Sequence, residues 1–256
     1  MATTLAIAGH KGGIGKTVTA MAVSAALARR DSHPQTLLID LDPQGHCALG
    51  LGVELSDKDP SLRDLFTEPP QPIERLIHDT HIPTLKLIPS TIRLARVTSN
   101  LYMRPRREEL LKRHLSSLLS PYQFIVIDCP PSLGVLTEMG IAAADTILIP
   151  CQMEARAADS LVDLLEVIGM IKGESFQNWH ILLTRVDPRK SVTNQAVRAA
   201  LATWQDKIFT ASIPQSEPLN QAQIARTDIF NYEPKSPGAL AYQALAQELL
   251  HLYGNQ

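Results

Sequence analysis

Cysteine is scarce in this sequence, and its spacing carries as much information as its number. The three cysteines, Cys47, Cys129 and Cys151, are an odd number without a C-x-x-C spacing. Neither a disulfide framework nor a zinc or iron–sulfur site is therefore predicted. We expect the three thiols to be buried in a protein of a reducing compartment.

Long apolar runs are also missing. No stretch approaches the roughly 18 apolar residues of a membrane span, and the first residues lack the charged start and long apolar core of a signal peptide. The net charge of −2 excludes a generally basic, nucleic-acid-coating protein, although it allows a local basic patch. We expect a cytoplasmic protein that does not attach to membranes.

The sequence has enough apolar residues to fold without disulfide bonds or a structural metal. It has 256 residues, 45% of them hydrophobic, and no low-complexity tract or internal repeat. A chain of this length buries on the order of 70% of its unfolded surface. We predict one domain over residues 1–256 and interpret the proline cluster at residues 69–72 as a surface loop.

The most informative stretch is glycine-rich and covers residues 8–17, between an apolar run at residues 5–8 and an alanine-rich helical pattern. Gly12, Gly13 and Gly15 can take positive φ and bring bare N–H groups to a phosphate. The following helix N-terminus adds partial positive charge. This stretch therefore predicts a phosphate-binding loop.

Two side chains complete that loop. Lys16 is predicted to neutralise the β- and γ-phosphates of a nucleotide, and Thr17, in the first helical turn, to offer its hydroxyl to Mg²⁺. A flexible turn is the alternative interpretation. The order of strand, loop and helix favours phosphate binding.

The start of the loop departs from the strict phosphate-loop pattern. His10 stands where that pattern has glycine, and a second lysine, Lys11, follows it. The run from Lys11 to Thr17 resembles the deviant Walker A motif of the ParA/MinD family of ATPases. The resemblance implies that Lys11 reaches across a nucleotide-sandwich dimer to the partner's phosphates, and a solvated surface lysine is the alternative. The predicted nucleotide contacts of the loop are Lys11, Gly12, Gly13, Ile14, Gly15, Lys16, Thr17 and Val18.

Apolar runs alternate with helical patterns along the chain, which predicts a doubly wound α/β fold with a mostly parallel sheet and helices on both faces. The predicted strands are residues 5–8, 36–40, 85–88, 124–128, 146–150 and 181–184, with a further short strand at 207–213. The predicted helices are residues 61–66, 73–77, 106–119, 155–172, 192–204 and 238–253.

Aspartates that end apolar runs are candidates for a metal site, since ligands of such sheets bind at the carboxyl ends of the strands. Residues 124–128 form a Walker B pattern in which Asp128 can hold Mg²⁺ through water. Residues 129–134 resemble the switch II segment of the family, whose prolines and glycine suit a segment that moves when the γ-phosphate leaves. A structural Asp that caps a turn is the alternative for Asp128.

Asp40 and Asp42 resemble the Walker A′ motif of the family, D-x-D-P-Q. In an extended segment, residues two apart face the same side, so both carboxylates can point at the metal and phosphates. The resemblance implies that Asp42 positions the attacking water while Asp40 supports the metal shell, and the division between the two stays open. The predicted metal-site residues are Thr17, Asp40 and Asp128, and the predicted catalytic residues are Lys11, Lys16 and Asp42.

The residues that recognise the base are predicted from two later segments. Residues 182–188 look like the family's strand end beside the adenine. A carboxylate such as Asp187 accepts a hydrogen bond from adenine N6 but would face the O6 acceptor of guanine, which favours ATP over GTP. Residues 213–216, with Pro214, resemble the loop that closes over the other face of the base. An ordinary turn Asp before proline is the alternative for Asp187.

Two regions are candidates for binding DNA. Residues 151–256 hold nine Lys/Arg against eleven Asp/Glu, so the late-chain basic surface of the family is thin here, and a solvated helix face is the alternative. Residues 93–113 carry seven Lys/Arg against Glu108 and Glu109, and Glu108–Lys112 and Glu109–Arg113 pairs would neutralise part of that charge. The late-chain candidates are Arg189, Lys190, Arg198, Lys207 and Arg226.

The resemblance covers essentially the whole chain. It implies an ATPase that binds ATP and Mg²⁺, forms an ATP-dependent homodimer, binds nonspecific DNA at the nucleoid and is stimulated by a ParB-like partner to partition or position a cargo. The chain is similar to the short ParA type, because it begins at the phosphate-loop strand and we expect no N-terminal helix-turn-helix.

Two other functions remain possible on the sequence. A MinD-like membrane-associated ATPase needs a basic amphipathic C-terminus, but residues 249–256 contain no Lys or Arg. A metabolic P-loop enzyme of the same fold, such as a ligase or kinase, would need a small-molecule pocket that the sequence does not reveal.

Overall fold

The computed structural model describes residues 2–30, 35–118 and 122–253. Within this part of the chain, seven strands form one sheet. In chain order they are β1 (Thr3–Ile7), β2 (Gln35–Asp40), β3 (His78–Asp79), β4 (Leu85–Ile88), β5 (Tyr122–Asp128), β6 (Thr146–Gln152) and β7 (Trp179–Thr184).

The strand order across the sheet is β3-β4-β2-β5-β1-β6-β7. Every pair of neighbours is parallel except β3 and β4, which are antiparallel. The apolar runs are buried on both faces: Leu37 and Ile39 point into one hydrophobic cluster and Leu38 into the other. The predicted doubly wound, mostly parallel sheet is confirmed.

Helices cover both faces of the sheet. The helices of one face are α3 (Leu94–Leu101), α4 (Leu110–Ser117), α5 (Val135–Ala143), α6 (Ala157–Lys172) and α7 (Ser191–Ala200). Those of the other face are α1 (Lys16–Ala28), α2 (His46–Gly50), α8 (Glu217–Ile224), α9 (Ile229–Tyr232) and α10 (Pro237–Tyr253). None of the helices in the described residues is both long and apolar enough to cross a bilayer.

Several helices differ from the prediction. The predicted helices at residues 61–66 and 73–77 are short 3₁₀ turns, Leu62–Leu65 and Ile73–Leu76. The stretch 106–119 is a 3₁₀ turn, Arg107–Glu109, followed by α4, and the end of the stretch 192–204 belongs to the 3₁₀ helix Ala202–Lys207. Helices α2, α3, α5, α8 and α9 were not predicted. All except α5 have eight residues or fewer, too few for a convincing helical pattern, and α5 is apolar nearly all round.

The predicted strand at residues 207–213 is wrong as a regular strand. The segment meets β7 at separate points: a bridge joins Ile208 to Ile181, and the N–H groups of Phe209 and Ile213 donate to Ile181 O and Leu183 O at 3.0 and 2.8 Å. Between them, the backbone N–H groups of Thr210 and Ala211 donate to the carboxylate of Glu248 on α10, at 2.9 and 2.6 Å. Because a side chain satisfies these donors, no continuous ladder forms.

The two margins of the sheet are short or covered. At one margin, β3 has two residues, and Asp79 on it pairs with Lys86 at 2.6 Å. At the other margin, β7 is bridged by the segment that follows the 3₁₀ helix Ala202–Lys207, with Phe209 N–H donating to Ile181 O at 3.0 Å. In the described residues, one edge strand is therefore very short and the other is partly covered by this segment.

The register brings the site together. Asp128 at the end of β5 lies opposite Asp40 at the end of β2 and opposite Ile7 at the end of β1. The glycine loop follows β1 directly, so two carboxylates and the loop meet at the carboxyl edge of the sheet.

Candidate functional site

The glycine loop joins β1 to α1 and turns twice through left-handed backbone. Gly13 has φ 76° and Gly15 has φ 95°, conformations that glycine adopts without steric cost. Gly15 is also the N-cap of α1. Gly12 does not have a positive φ, so two of the three glycines use this freedom. The loop still ends on the N-terminus of a helix of 13 residues, which suits an anion.

Lys16 lies inside the loop. It is 6% exposed, and its Nζ donates to the backbone carbonyl of Lys11 at 2.6 Å. Burial lowers the pKa of Lys16, and the negative charge of Asp128 opposes that shift. No carboxylate among the described residues forms an ion pair with it. A buried cation held only by a carbonyl can turn to phosphate oxygens that enter the loop.

Lys11, the second lysine, is held elsewhere. Its Nζ pairs with Oε1 of Glu154 at 2.9 Å, in the segment that follows β6. Its neighbour His10 contacts Asp163 of α6, Nδ1 to Oδ2, at 3.1 Å. Both side chains of the Lys11–Glu154 pair are partly exposed, at 32% and 41%. Lys11 therefore stands at the rim of the loop rather than in it.

Asp40 is completely buried at the end of β2. The backbone N–H groups of Asp42 and Cys47 donate to its two carboxylate oxygens at 2.9 and 3.1 Å. Burial and the charge of Asp128 raise the pKa of Asp40 well above its ordinary value, while these two hydrogen bonds oppose the shift. The two buried carboxylates are neighbours, and the backbone hydrogen bonds offset only part of the cost of burying their negative charges.

Asp128 is equally buried, and only one of its two carboxylate oxygens is hydrogen-bonded. The Cys47 thiol donates to Oδ2 at 3.5 Å, but Oδ1 has no hydrogen-bond partner in the described chain. Burial raises the pKa of Asp128 to about 7, and the nearby Thr17 hydroxyl and Cys47 thiol oppose this. One ligand atom each from Asp40, Cys47 and Asp128 lies within 4.8 Å of the others. Paired carboxylates with an unsatisfied oxygen beside a hydroxyl fit a hard divalent cation such as Mg²⁺.

Asp42 lies at the rim of this centre. Its side chain is half-buried, and its Oδ1 accepts the N–H of Gln44 at 3.0 Å in the turn that follows β2. The carboxylate is therefore nearer to solvent than that of Asp40. Its predicted role in positioning water stays a prediction.

The segment after Asp128 is tied to two other elements. Thr137 on α5 donates its hydroxyl to Ser132 O at 2.5 Å. The Tyr102 hydroxyl lies 3.4 Å from the N–H of Val135, and the Arg107 guanidinium lies 5.6 Å from the Tyr102 ring. The predicted switch segment is thus held by residues 102–107, which the sequence did not connect with it.

A cavity of about 390 Å³ opens beside the loop, of the size that small-molecule sites have. Its apolar wall includes Val18, Met153 and Leu219, and Arg185 at its edge has a left-handed φ of 52°. Of the predicted nucleotide contacts, this cavity is lined by Ile14, Gly15, Val18 and Pro214.

Asp187 does not line this cavity. Its two oxygens accept Nε and Nη2 of Arg189, both at 2.9 Å, and Oδ1 also accepts the Arg189 N–H at 3.0 Å. These bonds lower the pKa of Asp187 to about 2. The carboxylate is engaged within its own turn, and its predicted contact with adenine stays a prediction.

Comparison with known proteins gives the family. Residues 2–183 match the AAA_31 family model, described as an AAA domain. The chain belongs to this ParA/MinD-type family of P-loop ATPases. It is homologous to the partition ATPases of the family and is 34% identical to the sporulation initiation inhibitor protein Soj of Bacillus subtilis, over 97% of this chain and 98% of that protein.

Two further relatives extend the match. The chromosome partitioning protein ParA of Myxococcus xanthus is 34% identical, over 96% of this chain and 87% of that protein. A crystal structure of cobyrinic acid a,c-diamide synthase from Mycobacterium smegmatis, with bound ATP analogue and magnesium, superposes with a TM-score of 0.83 at 30% identity. That match covers 100% of this chain and 97% of that one.

The late-chain basic residues of this ParA/MinD-type chain are dispersed. Arg189 is engaged by Asp187, and Lys207 donates to Gln177 O at 2.9 Å and lies 5.3 Å from the ring centre of Trp179. The remaining three candidates are exposed: Lys190, Arg198 and Arg226.

The basic segment at residues 93–113 is largely neutralised. The predicted Glu109–Arg113 pair is present at 2.9 Å, whereas Glu108–Lys112 is not among the ion pairs of the described residues. Three more of its arginines pair with carboxylates from elsewhere in the chain, and the pairs are Arg93–Asp57, Arg104–Glu68 and Arg107–Glu138.

Sequence reasoning missed three residues of the site. Glu154 lies 143 positions from Lys11, and Cys47 was noted only as a buried thiol. Asn194 on α7, which lines the cavity, was not noted at all. The thiol follows the predicted Walker A′ motif and the glutamate follows the predicted strand at residues 146–150, but no sequence signal marks the asparagine.

Proposed function

We propose that this chain binds ATP with Mg²⁺ and hydrolyses it. The observation that carries the proposal is the buried pair Asp40 and Asp128, with an unpaired oxygen on Asp128, next to the Thr17 hydroxyl and the buried Lys16. The match to a structure with bound ATP analogue and magnesium supports it. Mg²⁺ held by Thr17, Asp40 and Asp128 would neutralise the negative charge that develops on the phosphates during hydrolysis.

The chain's own residues divide the work by position. Lys16 and the loop N–H groups hold the phosphates, while Thr17, Asp40 and Asp128 hold the metal shell. Hydrolysis needs a water placed in line with the bond that breaks, more than a strong base. Asp42, half-buried at the rim, orients that water, and Asp40 fixes the Asp42 backbone through their 2.9 Å bond.

We also propose that ATP drives formation of a homodimer. Lys11 stands at the rim of the loop and is held by a single partly exposed glutamate. A second copy that brings its own phosphates to this rim offers Lys11 a more highly charged partner than Glu154. The same contact in both copies gives a two-fold symmetric interface.

The cellular role that we infer is partition or positioning of a cargo. Relatives named Soj and ParA, and a structural match named McdA at 26% identity and a TM-score of 0.83, support this role. We propose that the ATP dimer binds nonspecific DNA, that a ParB-like partner stimulates hydrolysis, and that the protein works in the cytoplasm at the nucleoid. Of the predicted late-chain residues, Lys190, Arg198 and Arg226 are exposed, and we propose that they contact DNA.

A second candidate is a small-molecule enzyme of the same fold. The diamide synthase is 30% identical over the whole of this chain. Such an enzyme would need a substrate site besides the nucleotide cavity.

Size-exclusion chromatography with light scattering, with and without ATP and Mg²⁺, tests the dimer. We expect a dimer of wild type with ATP only, and a monomer of Lys11→Ala that still binds ATP. Lys86→Ala, a surface lysine of β4, is the control and should dimerise like wild type. A wild-type monomer under all conditions would favour the small-molecule enzyme.

A gel shift with nonspecific duplex then tests DNA binding. We expect binding only with ATP, since a dimer doubles the phosphate contacts, with about six neutralised phosphates giving a slope near −5 in log K against log salt. Arg198→Glu with Arg226→Glu should weaken binding more than Arg106→Glu with Arg96→Glu. The opposite ranking would move the DNA surface to residues 93–113, and no shift of wild type at low salt would remove DNA from the mechanism.

A further inference from the structure

An open apolar groove runs along the second half of α6, beside the start of β7. It has a volume of about 560 Å³, and its lining includes Phe176, Trp179 and Trp204. Both tryptophans of the chain therefore lie in this one groove. Since Trp179 is the first residue of β7, and β7 and β1 run in the same direction, the groove lies at the amino edge of the sheet, away from the phosphate loop. We call it the α6 groove.

Large apolar side chains of α6 are exposed where they line the α6 groove. Val162 is 41% exposed and Met170 is 83% exposed. Together with Leu165 and Gly169 they occupy positions i, i+3, i+7 and i+8, which lie on one face of a helix. An exposed apolar face of this kind, next to an aromatic groove, is typical of a surface that binds another protein.

Gly169, on the same face, has no packing reason to be glycine. A Cβ at this position would meet no heavy atom of the described residues within 4 Å, apart from its chain neighbours and the adjacent turns of the helix backbone. Alanine would therefore fit, and it would strengthen the helix. The missing side chain allows another backbone to come close to α6. This favours a docked chain segment over a small ligand.

The exposed charge at the rim of the α6 groove is negative. Glu166 and Glu174 line the groove, are exposed, and are in none of the ion pairs among the described residues. The nearby cations Lys172 and Lys207 are half-buried, and their Nζ atoms donate to backbone carbonyls at 2.5 to 3.0 Å. A partner therefore meets the glutamates first, and positively charged side chains complement them.

We propose that the α6 groove is a docking site for a basic amphipathic segment of a partner protein. Apolar side chains of the segment pack against the aromatic residues and Met170, and its backbone passes Gly169. Its lysines or arginines pair with Glu166 and Glu174. The negative rim repels phosphates, so the groove suits a protein segment rather than DNA. This inference goes beyond the proposed function, because it needs no nucleotide.

The two tryptophans report directly on the groove. Titration with a synthetic amphipathic peptide of leucine and lysine, free of aromatic residues, should change the tryptophan emission of wild type in a saturable way. A peptide with glutamate in place of each lysine is the matched ligand. It should bind at least roughly tenfold more weakly, since it brings like charges to the rim.

Variants locate the binding on the groove. Glu166→Lys with Glu174→Lys should weaken binding of the basic peptide by at least roughly tenfold. Glu54→Lys with Glu74→Lys makes the same change of net charge at exposed sites outside the groove, and should bind like wild type. Gly169→Gln should lose most of the binding, because its side chain blocks the approach of a backbone although it strengthens the helix. Circular dichroism checks that the variants fold.

Several results would overturn the proposal. One is no saturable change of emission with the basic peptide, and another is equal binding of the acidic peptide. These two comparisons use wild type alone, so they stand even if a variant fails to fold. Unchanged binding in both groove variants would place the peptide elsewhere.

Other occupants of the groove give different results. A change of emission with nonspecific duplex DNA that Gly169→Gln abolishes would assign the groove to DNA. A nucleotide-free dimer on light scattering that the same variant abolishes would assign it to a second copy of the chain. Both results would contradict the proposal. Since the titration contains no nucleotide, a failure of ATP binding or hydrolysis would leave its result unchanged.

Discussion

The phosphate end and the base end of the site are built differently. At the phosphate end, Lys16, Asp40 and Asp128 are buried. Lys16 is bonded within the glycine loop, whose residues are consecutive, and the two carboxylates end neighbouring strands. At the base end, the cavity is formed by residues from β7, α7 and residues 213–220, which are far apart in the sequence. The phosphate end is thus a local motif, whereas the base end exists only in the folded chain.

This difference assigns distinct tasks to the two ends. The buried carboxylates and lysine of the phosphate end suit catalysis, because their geometry is fixed before the ligand arrives. The base end combines apolar walls with a few polar groups, which suits selection of the ligand. We therefore expect substitutions at the phosphate end to affect binding or turnover strongly, and those at the base end to affect preference.

The largest expected effect is that of Lys16→Ala. Removing the buried cation leaves the phosphates without their charge partner in the loop, so ATP affinity should fall by at least roughly 100-fold. Calorimetry with Mg²⁺ measures it, with circular dichroism to check folding. Lys11→Ala, in the same loop but at the rim, should lose less than roughly tenfold by the same reasoning. Near wild-type affinity of Lys16→Ala would contradict the assignment of the phosphate end.

Asp42→Ala should separate turnover from binding. Without this carboxylate the attacking water loses its orientation, and misplacement of this kind costs roughly 100-fold in rate. We expect phosphate release to slow while ATP affinity changes little and a dimer persists on size-exclusion chromatography. Unaltered turnover would show that the rim of the phosphate end takes no part in the reaction.

Thr184→Val tests the connection between the two ends. The Thr184 hydroxyl is buried and donates to the carbonyl of Ile14 in the glycine loop. Valine keeps the shape but leaves that carbonyl unpaired, which should lower the free energy of unfolding by about 1–2 kcal/mol and weaken ATP binding several-fold. Chemical denaturation and calorimetry measure the two effects. Thr193→Val, exposed on α7, should change neither quantity. An equal loss in that variant would show that the Thr184–Ile14 hydrogen bond does not link the two ends.

The smallest expected effect lies at neither end. His81 Nε2 contacts the buried Asp228 at 2.6 Å, and this bond raises the pKa of His81 although burial and Arg29 oppose it. A pKa raised in the folded state adds stability below the unfolded value of about 6.5, and this stability is lost as pH rises through the folded value.

His81→Gln should therefore cost more at acidic than at alkaline pH. We expect it to lower the free energy of unfolding by about 1 kcal/mol near pH 6, and by less near pH 8.5. Urea denaturation at the two pH values measures the difference, and ATP affinity should follow wild type at both. A cost that grows with pH would show that neutral His81, rather than its charged form, stabilises this contact.

The phosphate end could be predicted from the sequence because its physics is local. A strand that ends in Asp128 and a lysine that follows three glycines are read from consecutive residues. Parallel strands must then bring those ends to one edge, which the register of Asp40 opposite Asp128 shows. The unpaired Oδ1 of Asp128 was beyond prediction, since it depends on where the thiol of Cys47 points.

The base end could not be predicted because its residues come together only in the folded chain. Asp187 was chosen as an acceptor because a carboxylate there fits adenine, but the arginine two residues later takes both oxygens. Whether a charged side chain faces a ligand or its own neighbour depends on the turn, and no pattern specifies it. The strand predicted at residues 207–213 failed similarly, because Glu248 is distant in the sequence and satisfies the backbone donors.

The short or covered edge strands of the sheet affect how the protein behaves at high concentration. Exposed strand edges recruit other chains by adding strands, and such contacts grow into fibres without limit. Here one outer strand has two residues, and the other is covered by a segment whose N–H groups are occupied by a carboxylate. Edge-to-edge polymerisation is thereby discouraged. In the homodimer that we propose, contacts between copies would then be limited to the nucleotide face.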